Sequence, residues 1–116
     1  MKIIKNNMLL TQKATRAKTW LARLKGLLGK EALSPNEALV LSPCNSIHTF
    51  FMRFPIDAIF MSSKGKVLHL YSDLKPNRLT VLHLRAKEVI ELPAGTIKQW
   101  NIHVGDILKF EEDNDV

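Results

Sequence analysis

The chain has 116 residues, which is long enough for one domain with a buried core and too short for two. Apolar residues make up 46% of the sequence and charged residues 24%, close to the usage of ordinary globular proteins, and no apolar run approaches the roughly 20 residues of a membrane span. The formal net charge is +6, although residues 111–116 are acidic. Composition therefore excludes a membrane-spanning protein and predicts a soluble, basic, single-domain protein, which we take to be a monomer.

The single cysteine and the first residues bear on the cellular compartment. Cys44 has no second cysteine to pair with, which is compatible with a reducing cytoplasm. Lys5, Asn6 and Asn7 interrupt the apolar stretch of about 7 to 15 residues that an export signal needs. The sequence therefore predicts a cytoplasmic location.

The first third of the chain predicts two strands and one helix. Apolar residues at 3–4 and 8–10 flank Asn6-Asn7, and asparagine tolerates the left-handed backbone of a tight turn. From Thr15 the apolar residues recur with the i, i+3, i+4, i+7 spacing of an amphipathic helix that ends at about residue 25 or 28. The apolar positions of this helix are Ala17, Trp20, Leu21, Leu24, Leu27 and Leu28.

The rest of the chain reads as a series of short strands separated by proline, glycine and serine turns. The predicted strands are 37–41, 47–52, 56–61, 67–71, 79–84, 87–92 and 107–110, with one helical turn at 96–101. Short strands at intervals of about 8 to 12 residues are typical of a sandwich or barrel. We therefore predict a mostly β domain at 1–110 with one N-terminal amphipathic helix, followed by a disordered acidic tail at 111–116.

The stretch from residue 43 to 60 contains most of the chemically distinctive side chains within a strongly apolar run. Burying a histidine or an aspartate without a partner costs a few kcal/mol, so these residues either form a site or satisfy backbone groups. A hairpin around residues 53–55 would place His48 and Asp57 on facing strands, where the carboxylate could orient the imidazole. The predicted ligand-binding residues are His48, Thr49, Met52, Arg53 and Asp57.

The stretch from residue 43 to 60 allows two other interpretations besides a ligand-binding site. Asp57 could accept backbone N–H groups at the bend after Pro55, with His48 a satisfied interior residue. A nucleophile–base pair of Cys44 and His48 is disfavoured, because four extended residues separate them by roughly 13 Å. The same spacing argues against copper, and the other histidines lack zinc-ligand spacing, so no metal and no cofactor is predicted.

Several short motifs, in this order and spacing, resemble the small bacterial and archaeal proteins of the domain of unknown function 192 family. The motifs are Gly26-Leu27-Leu28, Ile47-His48-Thr49 with Met52, Pro55-Ile56-Asp57 with Phe60, Gly65-Lys66-Val67, Glu91-Leu92-Pro93-Ala94-Gly95-Thr96 and Gly105-Asp106. The resemblance implies a jelly-roll-like or barrel-like domain with one N-terminal helix. It implies no particular activity, because none is established for the family.

Taken together, the sequence predicts a small non-enzymatic binding or accessory module with a shallow polar site on the His48–Asp57 segment. A small ligand or a protein would be its partner. The enzymatic alternative is a hydrolase or transferase with His48 as general base and Asp57 as its orienter, although no nucleophile accompanies them. A second alternative is nonspecific polyanion binding by the basic helix, whose cations are Arg16, Lys18, Arg23 and Lys25. Sequence-specific nucleic-acid binding is not expected, because spaced aromatic side chains for base stacking are missing.

Overall fold

The computed structural model describes residues 1–17 and 33–113, and strands dominate both ranges. The elements are β1 (Lys2–Lys5), β2 (Met8–Thr11), β3 (Lys13–Ala17), β4 (Glu37–Leu41), β5 (Ile56–Met61), β6 (Val67–Leu74), β7 (Glu88–Pro93), α1 (Thr96–Gln99) and β8 (Lys109–Glu111). The predicted mostly β class is confirmed. No helix within the two described ranges is long and apolar enough to cross a membrane.

The strands form two sheets. The smaller sheet has the order β2-β1-β8, and its β1–β2 hairpin turns at Asn6 and Asn7 with φ values of 51° and 62°. These left-handed conformations confirm the turn predicted from the two asparagines. The larger sheet has the order β3-β4-β7-β5-β6, in which β3 and β4 run parallel and the other neighbours are antiparallel.

Apolar side chains cover most of both faces at the centre of the larger sheet. All six residues of β5 are buried, which matches its nearly continuous apolar sequence. One core cluster joins Ile3 of the smaller sheet to Val40 and Ile59 of the larger sheet, and a second cluster includes Ile56 and Phe60. Residues 56–61 therefore contribute to both core clusters.

The N-terminal helix prediction is wrong at its start. Thr15 and Ala17 belong to β3, which pairs in parallel with β4 from Lys13 opposite Glu37 to Ala17 opposite Leu41. The remainder of the predicted helix falls within residues 18–32, which lie outside the described residues. Tertiary pairing overrides local helical spacing here, because β4 supplies hydrogen-bonding partners for the β3 backbone.

Two predicted strands, 47–52 and 79–84, are irregular loops that pair with each other. The only bridge between them lies at His48 and Leu79, within the described part of the chain. Residues 49–52 turn, with the amide of Met52 donating to the Thr49 carbonyl at 3.3 Å, and Phe51 has a φ of 67°. Local turn formation therefore replaces the regular ladder that the apolar residues predicted.

At the C-terminal end, α1 confirms the predicted helical turn, whereas the last strand lies slightly later than predicted. Strand β8 spans Lys109–Glu111, and Glu111 pairs with Lys2 of β1. Thus the first residue of the predicted acidic tail belongs to a sheet. Residues 114–116 lie outside the described residues.

Candidate functional site

Thr49 joins the two irregular loops through both its backbone and its side chain. Its amide donates to the Arg78 carbonyl at 2.8 Å, and its hydroxyl donates to the Lys75 carbonyl at 2.6 Å. The same hydroxyl accepts from the Arg78 amide at 2.8 Å. Thr49 is fully buried, so its polar groups fix one loop against the other and are not presented to a ligand.

Thr80 makes the corresponding connection from the opposite loop. Its amide donates to the Ile47 carbonyl at 2.9 Å, and its buried hydroxyl accepts from the Ile47 amide at 3.0 Å. Further along, the His83 amide donates to the Asn45 carbonyl at 2.9 Å. Residues 45–54 and 75–85 thus form one hydrogen-bonded unit, whose outward side we call the paired-loop surface.

Asp57 has a different environment on β5. It is fully buried, and its carboxylate accepts three backbone N–H groups: Asp73 at 2.9 Å, Gly95 at 3.1 Å and Ile97 at 2.8 Å. These amides lie at the end of β6 and at the start of α1. Asp57 therefore ties the edge of the larger sheet to the turn after β7, as hydrogen bonds to an ionised acceptor can do.

The remaining predicted site residues lie on the 45–54 loop. The His48 ring is half-buried, stacks on Phe50 with centroids 5.1 Å apart, and accepts the Phe50 amide at Nδ1 from 3.3 Å. Met52 is buried and Arg53 is exposed. The predicted facing of His48 and Asp57 is wrong, because His48 lies opposite Leu79 while Asp57 is paired with Leu92.

The paired-loop surface exposes large apolar side chains from two segments that the sequence predicts as strands. Of the ten large apolar side chains that are exposed among the described residues, six lie in these two loops. They are Phe50, Phe51, Leu79, Val81, Leu82 and Leu84. In the second loop the usual arrangement is reversed, because Thr80 is buried while Leu79 and Val81 are each 68% exposed. Exposed apolar patches of this kind mark interaction sites.

Phe51 adds a conformational argument. It is 77% exposed and has a φ of 67°, a left-handed conformation that costs a bulky residue roughly 1–2 kcal/mol. The Asn77 side chain accepts its amide at a long 3.5 Å. A strained backbone that projects an aromatic ring into solvent is typical of a functional surface, since such strain persists where the surrounding structure fixes it.

A cluster of aromatic and imidazole rings packs around His83 of the second loop. The Tyr71 hydroxyl and His83 Nε2 are 2.7 Å apart, and the His83 ring stacks on His69 with centroids 3.9 Å apart and meets the edge of Phe60. Burial lowers the pKa of His83, and the neighbouring His69 lowers it further. An open groove of about 450 Å³ lies beside these rings, bounded also by Leu82 and Arg85.

Cys44 lies apart from this cluster. Its thiol is half-buried and donates to the Ser46 carbonyl at 3.1 Å. Across residues 1–17 and 33–113 no group of three or more histidine, cysteine, aspartate or glutamate side chains is arranged to hold a metal ion. The site therefore consists of a hydrogen-bonded scaffold, an apolar surface and a few exposed cations.

Comparison with known proteins places the chain in a family. Residues 2–110 match domain of unknown function 192, described as "Uncharacterized ACR". The chain belongs to this family. A UPF0127 protein of Pyrococcus horikoshii is 35% identical over 100 residues, which cover 81% of the present chain and 84% of the relative. A UPF0127 protein of Pyrococcus furiosus is 42% identical over 65 residues, which cover 56% of this chain and 55% of that protein's length.

A solved structure extends the comparison to the fold. A protein of unknown function from Novosphingobium aromaticivorans superimposes with a TM-score of 0.78 over 94% of this chain and 82% of its own, at 17% identity. At this identity the likeness shows the fold alone. The family relationship confirms the resemblance carried by the sequence motifs, and the characterisation of the relatives indicates no specific function.

Proposed function

We propose that this member of the domain of unknown function 192 family is a non-enzymatic binding module whose binding site is the paired-loop surface. The observation that carries the proposal is the concentration of six exposed large apolar side chains on two loops held together by buried hydrogen bonds. Water-exposed apolar area on a fixed scaffold favours association, because covering it releases hydration free energy.

The sequence-predicted site takes different roles within this proposal. Thr49 and Met52 are buried and support the loop. His48 and Arg53 would contact the partner at the margin of the paired-loop surface. Asp57 would act indirectly, by holding the end of β6 from which the second loop departs. Its carboxylate accepts three backbone amides, which favours a structural role over that of an orienter for a catalytic histidine.

The packing of the two sheets belongs to the same proposal. The core cluster shared by Ile3 and Ile59 supports a sandwich-like arrangement rather than two independent sheets. A sandwich carries its binding loops at the ends of the sheets, positioned by a rigid core. The first loop precedes β5 and the second follows β6, and Ile56 at the start of β5 pairs with Leu74 at the end of β6, so both loops leave from the same end of two neighbouring strands.

The available apolar area is compatible with weak, reversible binding. Covering the four exposed residues of the second loop would contribute roughly 6–12 kcal/mol gross, at about 1.5–3 kcal/mol for each side chain. Association costs about 4–15 kcal/mol in lost rigid-body freedom. At the favourable ends of both ranges the surplus is about 8 kcal/mol, which corresponds to a Kd of about 1 μM. The second loop alone therefore supports micromolar binding at most.

Backbone NMR titration with an uncharged amphiphile, octyl glucoside below its micelle concentration, tests the proposal. We expect saturable chemical-shift changes confined to residues 45–54 and 75–85. Val81→Ser should weaken them, whereas Val104→Ser should not, because Val104 is similarly exposed at 62% but lies outside the surface. Shift changes spread over the whole protein, or equal weakening by the two variants, would contradict the proposal.

A further inference from the structure

The charge of the paired-loop surface has one sign. Residues 45–54 and 75–85 contain Arg53, Lys75, Arg78 and Arg85 and no acidic side chain, and all four cations are exposed. The ammonium group of Lys75 forms an ion pair with the carboxylate of Asp73 at 2.6 Å, and Asp73 lies just outside the paired-loop surface. The three arginines, with their planar guanidinium groups, are therefore the cations available to a partner.

The arginines are placed around the apolar side chains. Arg78 and Arg85 stand immediately before and after the segment 79–84, in which four apolar residues are at least 63% exposed. Arg53 follows Phe51 on the neighbouring loop. Apolar side chains bracketed by arginine are the combination that binds at the boundary between lipid headgroups and acyl chains.

We propose that the paired-loop surface binds the surface of an anionic lipid bilayer, with the arginines on headgroup phosphates and the apolar side chains in the acyl boundary. This inference rests on the proposed function and names the partner of the same surface. Guanidinium groups bind phosphate through two parallel hydrogen bonds, and an anionic bilayer offers many phosphates without requiring a fixed register.

Part of the loop backbone is already paired, which leaves less of it for an extended peptide. A peptide that adds a strand needs unpaired amides on the receiving segment. On the paired loops the amides of Ile47, Thr49 and Thr80 already donate to protein oxygens. Apart from Asn77, the exposed residues of the two loops have apolar or cationic side chains, which suit a lipid surface.

Vesicle cosedimentation of the full chain tests the inference. One set of vesicles contains phosphatidylcholine alone, and the other also contains phosphatidylglycerol, both at about 150 mM salt. We expect clear preference for the anionic vesicles. The double variant Arg78→Gln/Arg85→Gln should lose about 25-fold in partitioning, or about fivefold for each arginine removed from an anionic surface.

The matched control is Lys98→Gln/Lys109→Gln, which removes the same charge from exposed positions outside the surface. It should retain nearly all of the binding. Circular dichroism and denaturant unfolding of each variant establish that it is folded. Equal binding to both vesicle types, or an equal loss in the two double variants, would overturn the inference.

Two further measurements separate the possible failures. Inorganic phosphate or a mixed-sequence oligonucleotide that competes fully with anionic vesicles would overturn the lipid inference in favour of a free anion or a polyanion. If octyl glucoside shifts the paired loops while anionic vesicles do not bind, the lipid inference fails and the binding surface stands. If neither ligand acts on these loops, both proposals fail.

Discussion

Replacing Asp57 by asparagine tests the part of the structure on which both loops depend. In the native protein one carboxylate oxygen accepts the Asp73 amide, and the other accepts the amides of Gly95 and Ile97. Asparagine has the same shape but only one acceptor oxygen. If that oxygen keeps the Gly95 and Ile97 amides, the new NH₂ group faces the Asp73 N–H, donor against donor.

The expected loss follows from this count. One unsatisfied buried N–H costs about 1–3 kcal/mol, and two hydrogen bonds that change from charged to neutral acceptors lose about 1 kcal/mol each. Asp57→Asn should therefore lower the free energy of unfolding by about 3–5 kcal/mol. A domain of this size has a total stability of about 5–15 kcal/mol, so the variant should be marginal.

Urea unfolding, followed by circular dichroism, measures this loss. The control is Asp73→Asn, because the Asp73 side chain is 53% exposed and makes only a surface ion pair with Lys75. That change should cost less than about 1 kcal/mol, and asparagine tolerates the φ of 56° at this position. A loss below about 1 kcal/mol for Asp57→Asn would refute the structural role and return Asp57 to the candidate ligand residues.

Three other outcomes are expected. Because burial and His69 lower the pKa of His83 below 6.5, the unfolded chain binds the proton first, so the melting temperature should fall as the pH drops through this value. His69→Asn should make this fall smaller, and a pH-independent melting temperature would contradict it. Gly65→Ala should lower the free energy of unfolding by at least about 2 kcal/mol more than Gly105→Ala does, as measured by urea unfolding. The reason is that a Cβ at Gly65 would lie 2.3 Å from a backbone carbonyl oxygen, whereas a Cβ at Gly105 would face open space. Thr80→Val should lower the free energy of unfolding by about 1–3 kcal/mol and speed amide exchange in residues 45–49, because the buried N–H of Ile47 loses its acceptor. Unchanged exchange would show that the Thr80 hydroxyl does not hold the two loops together.

Local sequence patterns were sufficient to predict the hairpin turn at Asn6-Asn7 and the central strand β5. The Asn6-Asn7 hairpin follows from the backbone preferences of asparagine, and residues 56–61 form a strand because their apolar run begins after Pro55. The end of β3, from Thr15 to Ala17, was predicted as the start of a helix, since Ala17 fits the apolar spacing that continues at Trp20 and Leu21. Only the distant strand β4 decides between them.

The candidate site was only partly predictable for a related reason. The Asp57 carboxylate accepts hydrogen bonds from the backbone amides of residues 73, 95 and 97, and no spacing in the sequence predicts those contacts. The apolar residues of the segment 79–84 predict a strand, whereas the structure has an irregular loop whose threonine is buried and whose leucines are exposed. The contacts of Thr80 with Ile47 decide which side chains are buried, and the sequence of the segment carries no signal for them.

The exposed segment 79–84 also affects what happens when the protein unfolds. Its residues are rich in strand formers and contain neither proline nor a formal charge, which is the composition of segments that nucleate aggregation. In the folded protein, pairing with residues 45–49 occupies part of its backbone, so the segment cannot readily recruit another chain. In the unfolded chain only Arg78 and Arg85 remain as gatekeepers at its two ends. The same two cations would then protect against self-association during synthesis and refolding, and thermal denaturation of variants that lack them should end in precipitation.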